Sequence, residues 1–442
     1  MPDGAAALDL AKKTLGLCTG ADQAQVNVGF DDSAYARFAR NYVTQNIDAS
    51  TSRVSVTFVK DKRLGTSSTG DLSPAGLRAV VDAARQIAAR LPQNPEFVSL
   101  AVRAPIAPSP QSRFPSTAKA TADDRVEKLL PVFSRMTRSQ LSSAGFTTTQ
   151  TLGRAVANSL GVEASFDETI SGLEIKAMAP AVSGYAQYWS RDYATTDSRE
   201  RAELAASKAT VSTQPGDFAP GTYTAILEAP AFLECLASLL RGMTGEPVLE
   251  RQDSWMIGRV DKPIFSERLT IVDDWSFPLI ARAPFGPDGA PTQRVTLIEK
   301  GVPRNYVTST YIANKFKKPN TGHGGGYPTN AVVMAGTKSR EQLIAETERG
   351  VLISRMWYTR VVDPRECTIT GLTRDGVYLI ENGKLTRTLK NFRVFTSMLL
   401  ALGDVELGNR LFLAESSEAP VLQAVPDAKL AKFTLSAQTS FA

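Results

Sequence analysis

Val26, Val28 and Phe30 alternate with polar residues, and so do Val54, Val56 and Phe58. A period of two predicts a half-buried strand at each place. Asp61-Lys62 marks a turn after the second. Ser73 as N-cap and Pro74 at the first helical position then open a helix. Leu77, Val80, Val81, Ala84, Ile87 and Ala88 give it an apolar stripe at helical spacing, and Pro92 ends it. Residues 101–120 are rich in Pro, Ser and Ala, which predicts an exposed loop. A helix follows over Asp124 to Met136, with a bend or stop at Pro131. Strand patterns return up to Tyr193, and a polar helix over Ser198 to Ala209 leads to Pro215-Gly216.

Those two residues divide the chain into 1–215 and 216–442. The second part opens with a strand, TYTAILE, and a helix starting at Pro230 with Phe232, Leu233, Leu236, Leu239 and Leu240 apolar. Strands and loops run from Trp255 to Ile312. Ser339 and Gln342 form a capping-box pattern for a helix that should stop near Gly350. Asp375-Gly376 and Asn382-Gly383 read as hairpin turns of a meander. A helix from Phe392 to Leu402 and a strand near Lys432 to Leu435 close the chain. Strands come mostly as hairpins, so the fold class is α+β with antiparallel sheets. No internal repeat is legible.

Composition narrows the function. The 442 residues carry 50 Lys+Arg against 45 Asp+Glu, and 43% are hydrophobic. That suits large buried cores. The basic residues are scattered, without the stripe that nucleic acid requires, so no nucleic-acid partner is expected. No run is apolar enough for a membrane span, and the first residues lack a signal-peptide core. Three widely spaced cysteines, Cys18, Cys235 and Cys367, fit a reducing compartment. The expectation is a cytoplasmic protein that does not engage a membrane. The single histidine, His323, excludes any two-histidine metal site, and a Ser-His or Cys-His site could form only around it.

ARFARNYVTQN, VSVTF and TSSTGDLSPAGL in the first part, and SGYAQYWSRD near its end, resemble in order and spacing the opening of the TldD/PmbA (TldD/TldE) family. RVTLIEKGVPRNYVTSTYIANKF, TGHGGGYPTN, GTKSREQLIAETERGVLI and ITGLTRDGVYLIENGKL resemble its C-terminal half more strongly. The resemblance covers nearly the whole chain. It implies an N-terminal domain with helices on a curved antiparallel sheet and a β-rich, barrel-like C-terminal domain. It also implies dimers that enclose a peptide chamber. The family's catalytic branch has an H-E-x-x-x-H helix and a C-terminal cysteine that hold a metal. Laid ungapped on PAFLECLASLLRG, that motif falls on Leu233, Glu234, Cys235, Leu236, Ala237 and Ser238. Leu233 and Ser238 stand at the histidine positions, Glu234 at the acid/base, and the tail has no cysteine. The chain therefore resembles the metal-free TldE/PmbA branch.

That resemblance implies a non-catalytic subunit of a metallopeptidase acting on unfolded peptides, with no cofactor of its own and zinc in a TldD-type partner. The alternatives are a homodimeric peptide-binding protein, or a hydrolase using Cys235 and His323. Glu234 is either a relic of acid/base work or a helix-surface carboxylate; with nothing to activate it, the second is favoured. Cys235 reads as core packing before nucleophile. His323, with Gly324 and Tyr327, reads as a surface or cleft-edge loop. Trp357 and Tyr358, like Tyr185, Tyr188, Trp189 and Tyr193, are candidates for a cleft or interface.

Overall fold

The computed structural model describes residues 3–415 and 421–439. Six strands form the first sheet: β1 (Gln23–Ala39), β2 (Tyr42–Lys60), β3 (Arg63–Thr69), β4 (Ser142–Asn158), β5 (Glu163–Met178) and β6 (Ser183–Ser190). Their order is β3-β2-β1-β4-β5-β6, with antiparallel pairing throughout. The helices are α1 (Gly4–Leu15), α2 (Pro74–Arg90), the short α3 (Pro115–Ala118), α4 (Ala122–Arg138) and α5 (Ser198–Ala209). A helix, a three-strand meander and a closing helix thus occur twice, from α1 to α2 and from α4 to α5. No repeat is visible in the residues, so the duplication lies in topology.

Alternation explains why all four long helices share one side. Val26, Val28, Phe30, Ala36 and Phe38 of β1 are buried and point to one face. The helices α1 and α2 cover one end of that face and α4 and α5 the other. In both halves a glycine admits the closing helix. A Cβ at Gly65 would lie 2.0 Å from the Ala84 carbonyl of α2, and one at Gly184 would lie 2.2 Å from the Ala205 carbonyl of α5. The helix α4 runs through Pro131 without stopping. Its Thr121–Asp124 capping box and buried Leu129, Val132 and Met136 hold it across the missing N–H.

The second part closes a barrel. Strand β7 (Gly221–Leu227) pairs with Arg349–Asp363 and with Ala428–Gln438, and the ring is completed through Thr368–Glu381 and Phe392–Ser397. A second six-stranded sheet of short strands includes Ile271–Asp273, Ala331–Val333 and Phe412–Ala414. The class is α+β, as the alternation and hairpin signals indicate. Among the described strands two pairings are parallel, however: β7 with Arg349–Asp363, and Ala331–Val333 with Gln423–Val425. Both join segments far apart in the chain, which no hairpin signal reports. The helix α6 (Ala229–Gly242) contributes to one apolar cluster with residues of both the barrel and the short-strand sheet.

Three local expectations are corrected. Phe392–Ser397 is a strand, and only Met398–Ala401 is helical; Phe392 and Val394 face the core at strand spacing. The helix capped by Ser339 ends at Ala345, and Gly350 lies inside the next barrel strand. Asp375-Gly376 is not a hairpin turn: both have positive φ within the continuous strand Thr368–Glu381. That geometry is a bulge.

A buried ion network joins the two parts. Lys208 of α5 pairs with Glu228, the residue that caps α6, and donates to the Tyr185 carbonyl at 2.7 Å. Arg340 reaches Glu228 at 2.7 Å and Asp427 at 2.7 Å, and Asp427 accepts from the Ala229 N–H at 2.8 Å. Burial alone would raise the Glu228 carboxyl, but Lys208 and Arg340 outweigh it and hold it below its usual range. A depressed carboxyl stabilises the fold fully above its unfolded value of about 4.3 and loses that contribution as pH falls through the folded value. Replacing Glu228 by Leu leaves two buried cations without this partner. It should cost about 3–5 kcal/mol in denaturant unfolding and flatten the loss of stability in acid.

Candidate functional site

The face of the first sheet opposite its helices is covered by second-part loops around 277–292 and 320–330. Asn27 ties the first of these down by donating to the Pro287 carbonyl at 2.6 Å. Arg191 ties the same region by donating to the Ile280 carbonyl at 3.0 Å and to Glu168 at 2.7 Å. Burial would raise the Glu168 carboxyl, yet Arg191, Arg154 and Arg282 together hold it low. Between sheet and loops lies a cavity of about 580 Å³. His323, Gly324 and Tyr327 line it together with Arg53, Arg154 and Arg282.

His323 is not a surface histidine. It is 4% exposed, and its Nε2 lies 3.0 Å from an Oδ of fully buried Asp273. Asn330 donates to the same carboxylate from its backbone and its side chain, each at 2.9 Å. On the other side of the ring, Nδ1 meets Thr321 Oγ1 at 2.9 Å. Carboxylate, imidazole and hydroxyl stand in the order of an acid–base relay. The Thr321 oxygen is already committed, however: it accepts from the Thr308 N–H at 2.7 Å and donates to the Thr308 carbonyl at 3.0 Å. The arrangement clamps the glycine loop onto the strand Ile271–Asp273. Burial also pushes the Tyr327 hydroxyl up.

Nor does a Cys235–His323 pair form, since both ring nitrogens are engaged elsewhere. Cys235 is fully buried and its thiol is pushed up by burial, with Glu234 and Cys367 adding to the effect. Such a thiol is a packing group. Glu234 is 3% exposed rather than a helix-surface carboxylate. Leu233 is buried beside it, and Ser238 Oγ donates to the Cys235 carbonyl at 2.8 Å. The helix α6 is therefore enclosed along most of its length. Its first turn opens on space, where Ala229 and Pro230 line a separate cavity of about 360 Å³ with Tyr185, Tyr188 and Trp189, and Arg241 in its last turn is exposed.

Trp357 and Tyr358 lie away from both cavities, 38% and 57% exposed on the barrel strand Arg349–Asp363. Tyr358 has φ +56° at an irregularity in the pairing, which turns the ring outward. Arg374 stacks over Trp357 and Arg360 over Tyr358, each at 4.3 Å. Arg154, Arg282, Asp273 and Asn330 were missed by reasoning from sequence. Asp273-Asp274 before Trp275 was the one signal available, a carboxylate pair closing an apolar strand.

Comparison with known proteins places this geometry. Residues 220–436 match the PmbA/TldA metallopeptidase C-terminal domain, and residues 30–88 match domain 1 of the same family. The chain belongs to the PmbA/TldD family. The same fold occurs in the crystal structure of TldE from Thermococcus kodakarensis, with a TM-score of 0.85 and 20% identity, covering 97% of this chain and 99% of that one. It occurs also in a putative modulator of a DNA gyrase from Thermotoga maritima, with a TM-score of 0.84 and 18% identity, covering 96% and 99%. An uncharacterized protein of Methanocaldococcus jannaschii is 27% identical over 173 residues, 36% of this chain; the match spans 39% of that relative's length. Among the described residues no helix is long and apolar enough to cross a membrane.

If the histidine is a clamp, His323→Ala leaves Asp273 buried with Asn330 as its remaining partner. Thermal or denaturant unfolding should then show a loss of about 1–3 kcal/mol. Unchanged stability would mean that the imidazole is kept for something else.

Proposed function

We propose that this chain is the non-catalytic, TldE/PmbA-like subunit of a TldD/TldE-type metallopeptidase complex that degrades or processes unfolded peptides. The observation that carries this reading is the residue set of α6. Leucine offers a metal no donor atom, and a serine hydroxyl is a poor zinc ligand; these are Leu233 and Ser238, at the motif's histidine positions. Glu234 alone cannot acidify a water that no metal holds. The helix keeps its apolar packing while its surface chemistry is gone. The likeness of the whole fold to TldE of Thermococcus kodakarensis supports the same branch.

In this reading the zinc and the catalytic carboxylate belong to a cytoplasmic TldD-type partner. The present chain completes the peptide chamber and limits entry to extended chains, with no role for nucleic acid or membrane. Elemental analysis of the purified chain should find no stoichiometric metal. An unfolded peptide should be cut by the partner with this chain present and left intact by this chain alone. Metal-independent cleavage by this chain alone would overturn the reading.

A subunit needs a docking surface. Trp357, Tyr358, Val361, Val362 and Phe395 are exposed on neighbouring barrel strands, and Leu400 is exposed on the short helix that follows. Exposed aromatic and apolar groups of this kind suit an obligate interface, whose total area is on the order of 2,000 Å² or more. Tyr358→Ala should weaken pairing at least about tenfold in light scattering with the partner, by removing an exposed aromatic anchor. A strict monomer with and without the partner would leave only a lone binding protein, whereas self-pairing would favour the homodimer.

A further inference from the structure

Arg282 stands apart from the other cations of the first cavity. Among the described residues its guanidinium makes no hydrogen bond or ion pair, and its Nε is sealed from solvent without an acceptor. The nearby carboxylates are already committed. Glu168 is held by Arg191 at 2.7 Å and approached by Arg154 at 3.7 Å. Asp273 is taken by His323 and Asn330. Arg154, Arg191 and Arg282 thus face only Glu168 and the more distant Asp273, so cations outnumber carboxylates around the cavity. Burial, with Arg191 and Arg154 adding to it, lowers the Arg282 guanidinium to about 10.

The sheet register builds the rest of the cavity. Gly29 of β1 pairs with Arg53 on β2 and with Arg154 on β4, and Arg154 pairs with Phe166 on β5. Residues directly opposite in a sheet share a face. Two exposed arginines therefore flank a position with no side chain, and a Cβ built at Gly29 would meet nothing within 4 Å. The result is an open floor with guanidinium groups at its rim and Arg282 inside. Val156, Phe166, Phe285 and Tyr327 supply apolar wall. A volume of about 580 Å³ falls within the range of small-ligand sites.

We infer that this cavity binds a carboxylate ligand with an apolar group beside the acid: the free C-terminal end of a peptide, or a small organic acid. Its oxygens would take the unpartnered donors of Arg282, with Arg154 and Arg53 guiding entry from the rim. A planar guanidinium matches a carboxylate with two parallel hydrogen bonds, and low dielectric strengthens both. The inference stands on the cavity and not on the subunit role, so either can fail alone.

Calorimetric titration of the full chain tests it, using N-acetyl-phenylalanine, its amide, an acetylated tripeptide ending in phenylalanine, and inorganic phosphate. The acid should bind at least about tenfold more tightly than the amide, and less tightly as salt rises. Arg282→Met should abolish that preference while melting no lower than wild type, because the guanidinium makes no hydrogen bond or ion pair whose loss would cost stability. Gly29→Val should block binding by filling the floor with every arginine left in place. A tripeptide preferred over the single residue identifies a peptide end as the source, and equal binding a small acid; both support the site. Equal binding of acid and amide, a preference that survives Arg282→Met, or phosphate binding as well as the acid would overturn it.

Discussion

The buried contact of Lys208 and Arg340 with Glu228 is the constraint on which the arrangement of the two parts depends. Lys208 ends the last helix of the first part, and Glu228 begins the helix at the centre of the second. Neither charge could remain in an apolar junction without the other. Asp427 completes the circuit by taking the first N–H of α6, so that the helix, the barrel strand Ala428–Gln438 and α5 are fixed at one point. Such a network is costly to bury and unforgiving when broken. Its value here is angular: the loops that cover the first sheet can form a cavity only if the two parts meet in one orientation.

The fold was legible where one face is apolar and the other polar. The strands β1 and β2 and the helices α2 and α6 each carry a clean periodicity, and their caps lie where Ser73 and Pro230 put them. Failures fall where tertiary contact overrides local signal. Asp375-Gly376 has the composition of a turn but serves as a bulge, because the strand continues across a closed ring. Phe392 to Ser397 has no helix-breaking residue, yet it pairs on both sides and is held as a strand. The duplication of the first part leaves almost no trace in the residues beyond Gly65 and Gly184, since only the closest helix approaches restrict composition.

The candidate site was less legible than the fold. The loop TGHGGGYPTN stood out because it holds the single histidine, and its residues do line a cavity. What makes the cavity chemically distinctive is the register of three strands, which sets Arg53 and Arg154 beside Gly29 across more than a hundred residues of chain. Strand pairing at that separation is not written in any local pattern. The aromatic pair Trp357-Tyr358 was visible for its composition alone; the positive φ that turns Tyr358 outward is a property of the barrel.

The closed barrel has a consequence for how the protein could hold an extended chain. The ring closes over only part of its longest strand: Arg349–Asp363 meets β7 at Gly350–Ile353, and beyond that it pairs with Thr368–Glu381 alone, so among the described residues its outer stretch has no strand on its other side. An extended segment could be added there as a further strand, beside exposed Trp357 and Tyr358. Recognition of that kind reads the backbone of a peptide and tolerates most of its side chains.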